Sequence, residues 1–232
     1  MDVSVAGIRS VGKSPLQAVV RLLRDAILRG EFAPDTKVRI EDLRARYGTS
    51  LGTVREALSC LLAEGLVVEE GQKGFRIASM SVADITDIMT TRSVLESHAL
   101  TYSMQHTSVD WEAGVVASLH LLNRIERDSA AFGEWLAANR AFHLALCSGC
   151  PSPRLRDFLV SLFHQSQRYG HRLLSRGVVP RHLSDEHDQI VRAVLAGDVD
   201  LAVSCLKSHI EQVKGELVEI AALSPTPRDP PE

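Results

Sequence analysis

The sequence predicts a mostly α-helical protein of two domains, and three observations carry that expectation. Apolar residues recur at helical spacing along most of the chain. One short stretch, residues 66–77, reads instead as two strands around glycines. Charge is also divided unevenly: residues 1–78 hold 12 Lys and Arg against 10 Asp and Glu, whereas 79–232 hold 14 against 19, so a head of +2 precedes a body of -5.

A formal charge of -3 over 232 residues excludes nucleic-acid binding through bulk basicity and leaves only a local surface for it. No run approaches the roughly 18 apolar residues of a membrane span, and the N-terminus lacks a signal-peptide layout, which points to the cytoplasm. Of four cysteines, Cys147 and Cys150 form a C-x-x-C. No second such pair completes a four-thiolate zinc site, so buried structural thiols are expected.

Element by element, Ser14-Pro15 gives an N-cap and a proline at the first helical position, and Leu16, Val19, Val20, Leu23, Ile27 and Leu28 keep helical spacing up to Gly30. After the turn-prone Ala33-Pro34-Asp35 and the stretch Lys37–Ile40, a short helix runs through Leu43 to Tyr47 and breaks at Gly48. A further helix spans about Leu51 to Glu64. Helix, short turn and helix is the spacing of a helix-turn-helix. Gly65 stops the second helix, and Leu66–Glu70 and Phe75–Ile77 flank a glycine turn, adding the hairpin of a winged helix.

From Ser81 to Ala222 the pattern stays helical, with breaks near Thr107–Ser108, Cys147–Pro153, Gly177–Ser184 and Gly197–Asp198, which implies six or seven helices. The last residues, Ser224-Pro225-Thr226-Pro227-Arg228-Asp229-Pro230-Pro231-Glu232, are too proline-rich and polar to pack. The expected organisation is a winged helix-turn-helix domain over 1–78, an all-helical bundle over 79–223 and a disordered tail over 224–232.

Leu28-Arg29-Gly30-Glu31-Phe32-Ala33-Pro34-Asp35, Leu43, Val54-Arg55-Glu56-Ala57-Leu58, Leu61 and Glu64-Gly65-Leu66-Val67 together resemble the N-terminal domain of GntR-type bacterial transcription regulators. The resemblance covers about residues 16–78. It implies a winged helix whose second motif helix enters the major groove, with a homodimer reading a palindromic double-stranded operator. Arg55, one turn into that helix, could pair with guanine or grip a phosphate, and Ser50 and Thr53 sit at its start, where hydroxyls suit phosphates. Taken as residues alone, they fit equally well an N-cap and a solvated face. Arg39, Arg44, Lys73 and Arg76 are further candidate phosphate contacts. Members commonly carry arginine near the start of this helix, where Leu51-Gly52 stand here. Leu51 suits a thymine methyl rather than a guanine edge, so the operator is expected to depart from the family's commonest one.

In the body, Asn139 and His143 lie at i, i+4 on one helix face. His187 and His209 are 22 residues apart across the Gly197-Asp198 reversal, so two antiparallel helices could join them to that pair. Spacing alone leaves a metal site and ordinary histidines equally open. Arg92-Ser93-Val94-Leu95-Glu96, Asn139 through Phe142-His143, Glu186-His187 and His209 resemble the FCD effector domain of FadR-type regulators over about residues 82–220. That resemblance implies a divalent metal, often zinc, held by an aspartate and three histidines, with a small carboxylate effector completing the coordination. His143, His187 and His209 match the histidine positions, and Asn139 stands where aspartate is usual. An amide oxygen can coordinate but brings no charge, which leaves the metal site more receptive to an anion.

Arg92 resembles the arginine that pairs with the effector carboxylate; the bland alternative is an i, i+4 partner of Glu96. Gln165, Tyr169 and Arg172, with Arg168 beside them, could line the same cavity or form a solvated face. The expectation is therefore a ligand-responsive regulator whose DNA binding, most simply repression, is relieved by a small organic acid. Two rivals remain at this stage. One is a hydrolytic metalloenzyme, disfavoured by the lack of an H-E-x-x-H or an obvious general base; the other is a purely structural metal in a dimerisation module.

Overall fold

A computed structural model describes residues 14–71, 74–125, 132–174 and 183–222. The chain divides into two compact units that meet in sequence at Ser79 and Met80. Among the described residues, no helix is long and apolar enough to cross a membrane. The expected disordered tail, 224–232, lies outside the described residues.

The head contains α1 (Pro15–Leu28), β1 (Lys37–Val38), α2 (Ile40–Tyr47), α3 (Leu51–Ala63), β2 (Val67–Glu69) and β3 (Phe75–Ile77). Ser14 caps α1 by accepting from the Gln17 amide, and Pro15 occupies its first turn. Gly48, at φ 58°, ends α2 in the left-handed region, which glycine adopts without the Cβ penalty. Ser50 then accepts from the Thr53 amide to start α3. Val19, Leu23 and Ile27 of α1 pack with Val54, Leu58 and Leu61 of α3 over Val67 and Ile77 of the sheet. This single apolar core fixes the two motif helices against the wing.

The sheet has one strand more than the sequence pattern gave. Its order is β1-β3-β2, all antiparallel, with Val38 opposite Phe75 and Val67 opposite Ile77. Val38, Val67, Phe75 and Ile77 turn inward, while Val68 on the edge strand stays exposed.

The body contains α4 (Val82–Gln105), α5 (Val109–Asn123), α6 (Phe132–Leu146), α7 (Pro153–Leu174), α8 (Leu183–Leu195) and α9 (Val199–Ala222). Serine or aspartate caps four of these starts among the described residues: Ser81 for α4, Ser108 for α5, Ser152 for α7 and Asp198 for α9, the last directly after Gly197 at φ 71°. α4 runs along α9 and α7, and α9 also packs on α8. Gly149, in the turn between α6 and α7, is required by close approach: a Cβ there would stand 2.9 Å from the Ser103 Cβ of α4. Cys147 and Cys150 flank it as free, buried thiols among Ala99, Leu159 and Phe163. Burial pushes the Cys147 thiol well up, which suits packing rather than thiolate chemistry.

Candidate metal and effector site

The body's core holds more buried polar chemistry than a simple helical bundle needs. His143 on α6, His187 on α8 and His209 on α9 are each at most 3% exposed. Their ligand nitrogens all lie within 4.8 Å of one another. Two carboxylates aim the rings. Glu96 of α4 approaches His143 Nδ1 at 2.7 Å, and Glu186 of α8 approaches His209 Nδ1 at 2.7 Å. Since a carboxylate only accepts, each Nδ1 carries the hydrogen and donates, which leaves each Nε2 with a lone pair. Burial lowers the basicity of His143 more than Glu96 raises it, so this imidazole is neutral near pH 7.

A divalent ion fits this donor set. His187 Nε2 stands 3.2 Å from His209 Nε2. That is near the roughly 3.3 Å separation of two imidazole nitrogens on a tetrahedral ion with bonds of about 2.0–2.1 Å. His143 Nε2 and Asn139 Oδ1 are buried and have no hydrogen-bond partner. Both residues line one cavity of about 60 Å³, with Asn139 one helical turn before His143. Unpartnered buried acceptors cost about 1–3 kcal/mol each, so a ligand there relieves a penalty that the fold otherwise carries.

Glu96 is the residue that organises the site, although sequence reasoning assigned it only the part of an i, i+4 partner for Arg92. It is fully buried, with Oε2 on His143 and Oε1 accepting from Arg92 Nε at 2.9 Å. Burial alone would raise its pKa. The Arg92 charge and the hydrogen bonds that Arg92 and His143 donate outweigh burial and hold it well below the ordinary carboxylate range. Arg92 is thus the i, i+4 partner of Glu96 and also a residue of the cavity wall. Its guanidinium stands 3.8 Å from the Phe163 ring centroid, and Nη1 donates to Ser166 at 3.1 Å.

The structure corrects the expectation for α7. Gln165 and Tyr169 are absent from the cavity wall, which is formed by Phe163, Ser166, Gln167 and Gly170. The proposed face was rotated by about one residue, roughly 100° on a helix. Gln165 reaches back to Ser161 instead. Tyr169 is fully buried toward the start of α4, where its hydroxyl donates to Asp84 Oδ2 at 2.6 Å and accepts from the Ser81 amide at 2.9 Å. Burial and the Asp84 carboxylate raise its pKa. The cavity's other polar residues, Arg140 and Glu216, carried no clear sequence signal beyond their charge.

In the head, Arg55 is exposed on α3, and Arg39 is exposed immediately before α2. Ser50 caps α3 by accepting from the Thr53 amide, and the two hydroxyls meet at 2.9 Å at the exposed helix start. Arg44 is exposed but paired with Glu41 at 2.8 Å. Arg76 is held within the wing by Glu70 and by the Asp35 carbonyl. Lys73 lies outside the described residues.

A helix-turn-helix unit with a three-stranded wing, joined to a histidine-cored helical unit, defines a two-domain DNA-binding regulator. Residues 15–77 match the family of bacterial regulatory proteins called gntR, and residues 87–212 match the FCD domain. The chain belongs to the GntR family of transcriptional regulators and carries an FCD domain. It is 38% identical to the uncharacterized HTH-type transcriptional regulator BphR of Paraburkholderia xenovorans, across 90% of this chain and 86% of that one. It is also 38% identical to the HTH-type transcriptional repressor GlaR of Escherichia coli, across 82% and 90%. A solved GntR transcriptional regulator from Rhodococcus sp. RHA1 superposes with a TM-score of 0.70 at 25% identity, covering 89% of this chain and 99% of that one. The family and these relatives are transcriptional regulators, which sets the metalloenzyme reading aside.

Proposed function

We propose that the protein is a homodimeric repressor in the cytoplasm, whose affinity for a palindromic operator is set by a small organic acid bound beside a zinc ion in the body. The observation that carries this reading is the convergence of three buried histidines, two of which, His143 and His209, are oriented by Glu96 and Glu186 and line a cavity together with Arg92. A bound divalent ion would supply a Lewis-acidic centre for one carboxylate oxygen. His143, His187 and His209 hold that position, and Arg92, fixed by Glu96 and Ser166, offers a fork suited to acid oxygens. A cavity of about 60 Å³ suits an acid of a few carbons rather than a long acyl chain.

Tyr169 supports a route from cavity to linker. It sits on α7 between cavity residues Gln167 and Gly170, and its hydroxyl grips Ser81 and Asp84, just after the junction at Ser79 and Met80. A shift of α7 on ligand binding would therefore be felt at the start of α4. Such coupling changes operator affinity only by the acid's differential affinity for the two arrangements, typically about 1–3 kcal/mol. In the head, exposed Arg55, Ser50 and Arg39 and half-buried Thr53 supply the DNA-facing chemistry, with Arg44 and Arg76 available on exchanging their carboxylate partners for phosphates.

Thermal melting of the zinc-loaded protein against small mono-, di- and hydroxycarboxylates tests the sensor. An acid at 100 times its dissociation constant stabilises by about 2.7 kcal/mol, and that gain should vanish on chelation and in His187→Ala. A body that melts identically with every acid, zinc-loaded or not, would reduce the metal to a structural part.

A further inference from the structure

We infer that Gly52 sets how deeply α3 seats in the major groove: the side chain it lacks leaves the start of the helix close enough for Leu51 and Arg55 to reach base edges. This rests on the reading of α3 as the helix that enters DNA.

Among the described residues, nothing inside the fold requires glycine at position 52. Its backbone is ordinary helix and is not among the left-handed glycines of the chain. A Cβ there would meet only the Ser50 hydroxyl, at an ordinary 3.7 Å. Alanine would therefore fit, and it would leave the unfolded chain less freedom than glycine does, so glycine weakens this helix without a packing reason. Gly114 and Gly215 are equally unconstrained, but they lie on helices of the body. What sets Gly52 apart is the face on which it stands.

Val54, Ala57, Leu58 and Leu61 form the buried face of α3. Gly52 lies on the opposite face, in line with exposed Arg55, Glu56 and Ser59 at i+3, i+4 and i+7. Ser59, roughly 20° from Gly52 around the helix, folds its hydroxyl back onto the Arg55 carbonyl at 3.1 Å. The outer face is thus low along its midline, with Leu51 and Arg55 to one side and Glu56 to the other. Leu51 is apolar and yet 41% exposed. A helix with its side chains is about 10–12 Å across and the major groove about 12 Å wide, so the outermost side chains decide how near the helix axis comes to the bases. Recognition helices read bases with their N-terminal residues, which is the end that Gly52 occupies. A side chain at position 52 would meet the groove floor first and lift the Leu51 methyls and the Arg55 guanidinium from their bases. Gly52 is in this sense a specificity-determining residue that makes no side-chain contact of its own.

The test uses a duplex recovered by the native protein from a random-sequence library, beside a scrambled duplex of the same composition. Native protein, Gly52→Ala, Gly52→Gln, Arg55→Ala and Gly114→Ala are compared by anisotropy titration and thermal melting. Both Gly52 variants should melt no lower than the native protein. Affinity for the selected duplex should fall with side-chain length, by at least about tenfold for Gly52→Gln, the factor of one lost base contact, while the scrambled duplex is bound as before and Gly114→Ala binds normally. Native affinity in Gly52→Gln, with binding lost in Arg55→Ala, overturns the inference and leaves α3 as the helix in the groove. Equal losses on both duplexes also overturn it, by placing Gly52 against the phosphate backbone alone. Native affinity in both Gly52→Gln and Arg55→Ala removes α3 from the groove and the inference with it.

Discussion

In the head, Arg24 of α1 meets Glu64 at the end of α3 with about a fifth of each side chain exposed, whereas in the body Arg92 meets Glu96 with 7% and 0% exposed. The chemistry of the two pairs is alike; their surroundings are not. Water screens the head's pair and can replace either partner, so its loss is tolerable. In the body the pair is buried, and Glu96 must satisfy both Arg92 and His143. The head therefore keeps an apolar core and displays its candidate DNA-contacting residues outside. The body builds its candidate site residues into the core and makes stability depend on them.

The largest expected effect follows directly. Glu96→Ala should lower stability by about 3–5 kcal/mol, because it strands the Arg92 guanidinium in the core. Glu64→Ala should cost on the order of 1 kcal/mol. Urea denaturation of both variants measures the contrast, and equal losses would show that depth is not what separates the pairs. Next comes Gly149→Ala, whose added methyl meets Ser103 and should cost about 1–3 kcal/mol; an unchanged melt would mean that α4 and the α6–α7 turn yield easily.

On the head's outer face the effects fall on DNA rather than on stability. Arg55→Ala should weaken operator binding by about 1–3 kcal/mol with an unaltered melt, while Arg44→Ala should lower the salt slope by about one. Fluorescence anisotropy over a salt series separates the two. An Arg55→Ala protein that binds normally would return that residue to the solvated face.

How far the sequence disclosed this molecule depended on the kind of signal. Helix starts at Ser14 and Ser50 were legible as caps because capping is local, those at Ser81 and Ser108 only as edges of the helical pattern; Gly48 and Gly197 were read as breaks, and both adopt left-handed backbone. Strand β1 was not, since two residues show no alternation and its partner β3 lies far along the chain. The joint after Asn123 also escaped notice, because residues 124 and 125 contain neither glycine nor proline. In the site, the histidines were visible through spacing and resemblance. Glu186 was not read as the orienter of His209, because a carboxylate beside one histidine in sequence gives no hint that it serves another across a helix pair. On α7 the residue types were read correctly and the helical phase was not, which exchanged Ser166 and Gln167 for Gln165 and Tyr169.

Smaller effects sharpen the same contrast. Tyr169→Phe removes the hydroxyl that holds Ser81 and Asp84 and should cost about 0.5–1.5 kcal/mol. If the hydroxyl also transmits ligand binding, amide exchange at residues 80–86 will respond to zinc in the native protein and not in the variant. A response of equal size in both would leave Tyr169 as packing alone. At the small end and with opposite sign, Gly114→Ala on the exposed face of α5, where a Cβ meets nothing, should stabilise the body by up to about 1 kcal/mol. A loss there would reveal a contact that the helix surface does not suggest.

The most direct test of the account is X-ray absorption at the zinc edge of the loaded protein. Three imidazole nitrogens at about 2.0–2.1 Å, falling to two in a folded His209→Ala variant, are the result that three converging Nε2 atoms predict. A spectrum dominated by sulfur, or one unchanged by that substitution, would place the metal elsewhere and contradict a sensor built on His143, His187 and His209.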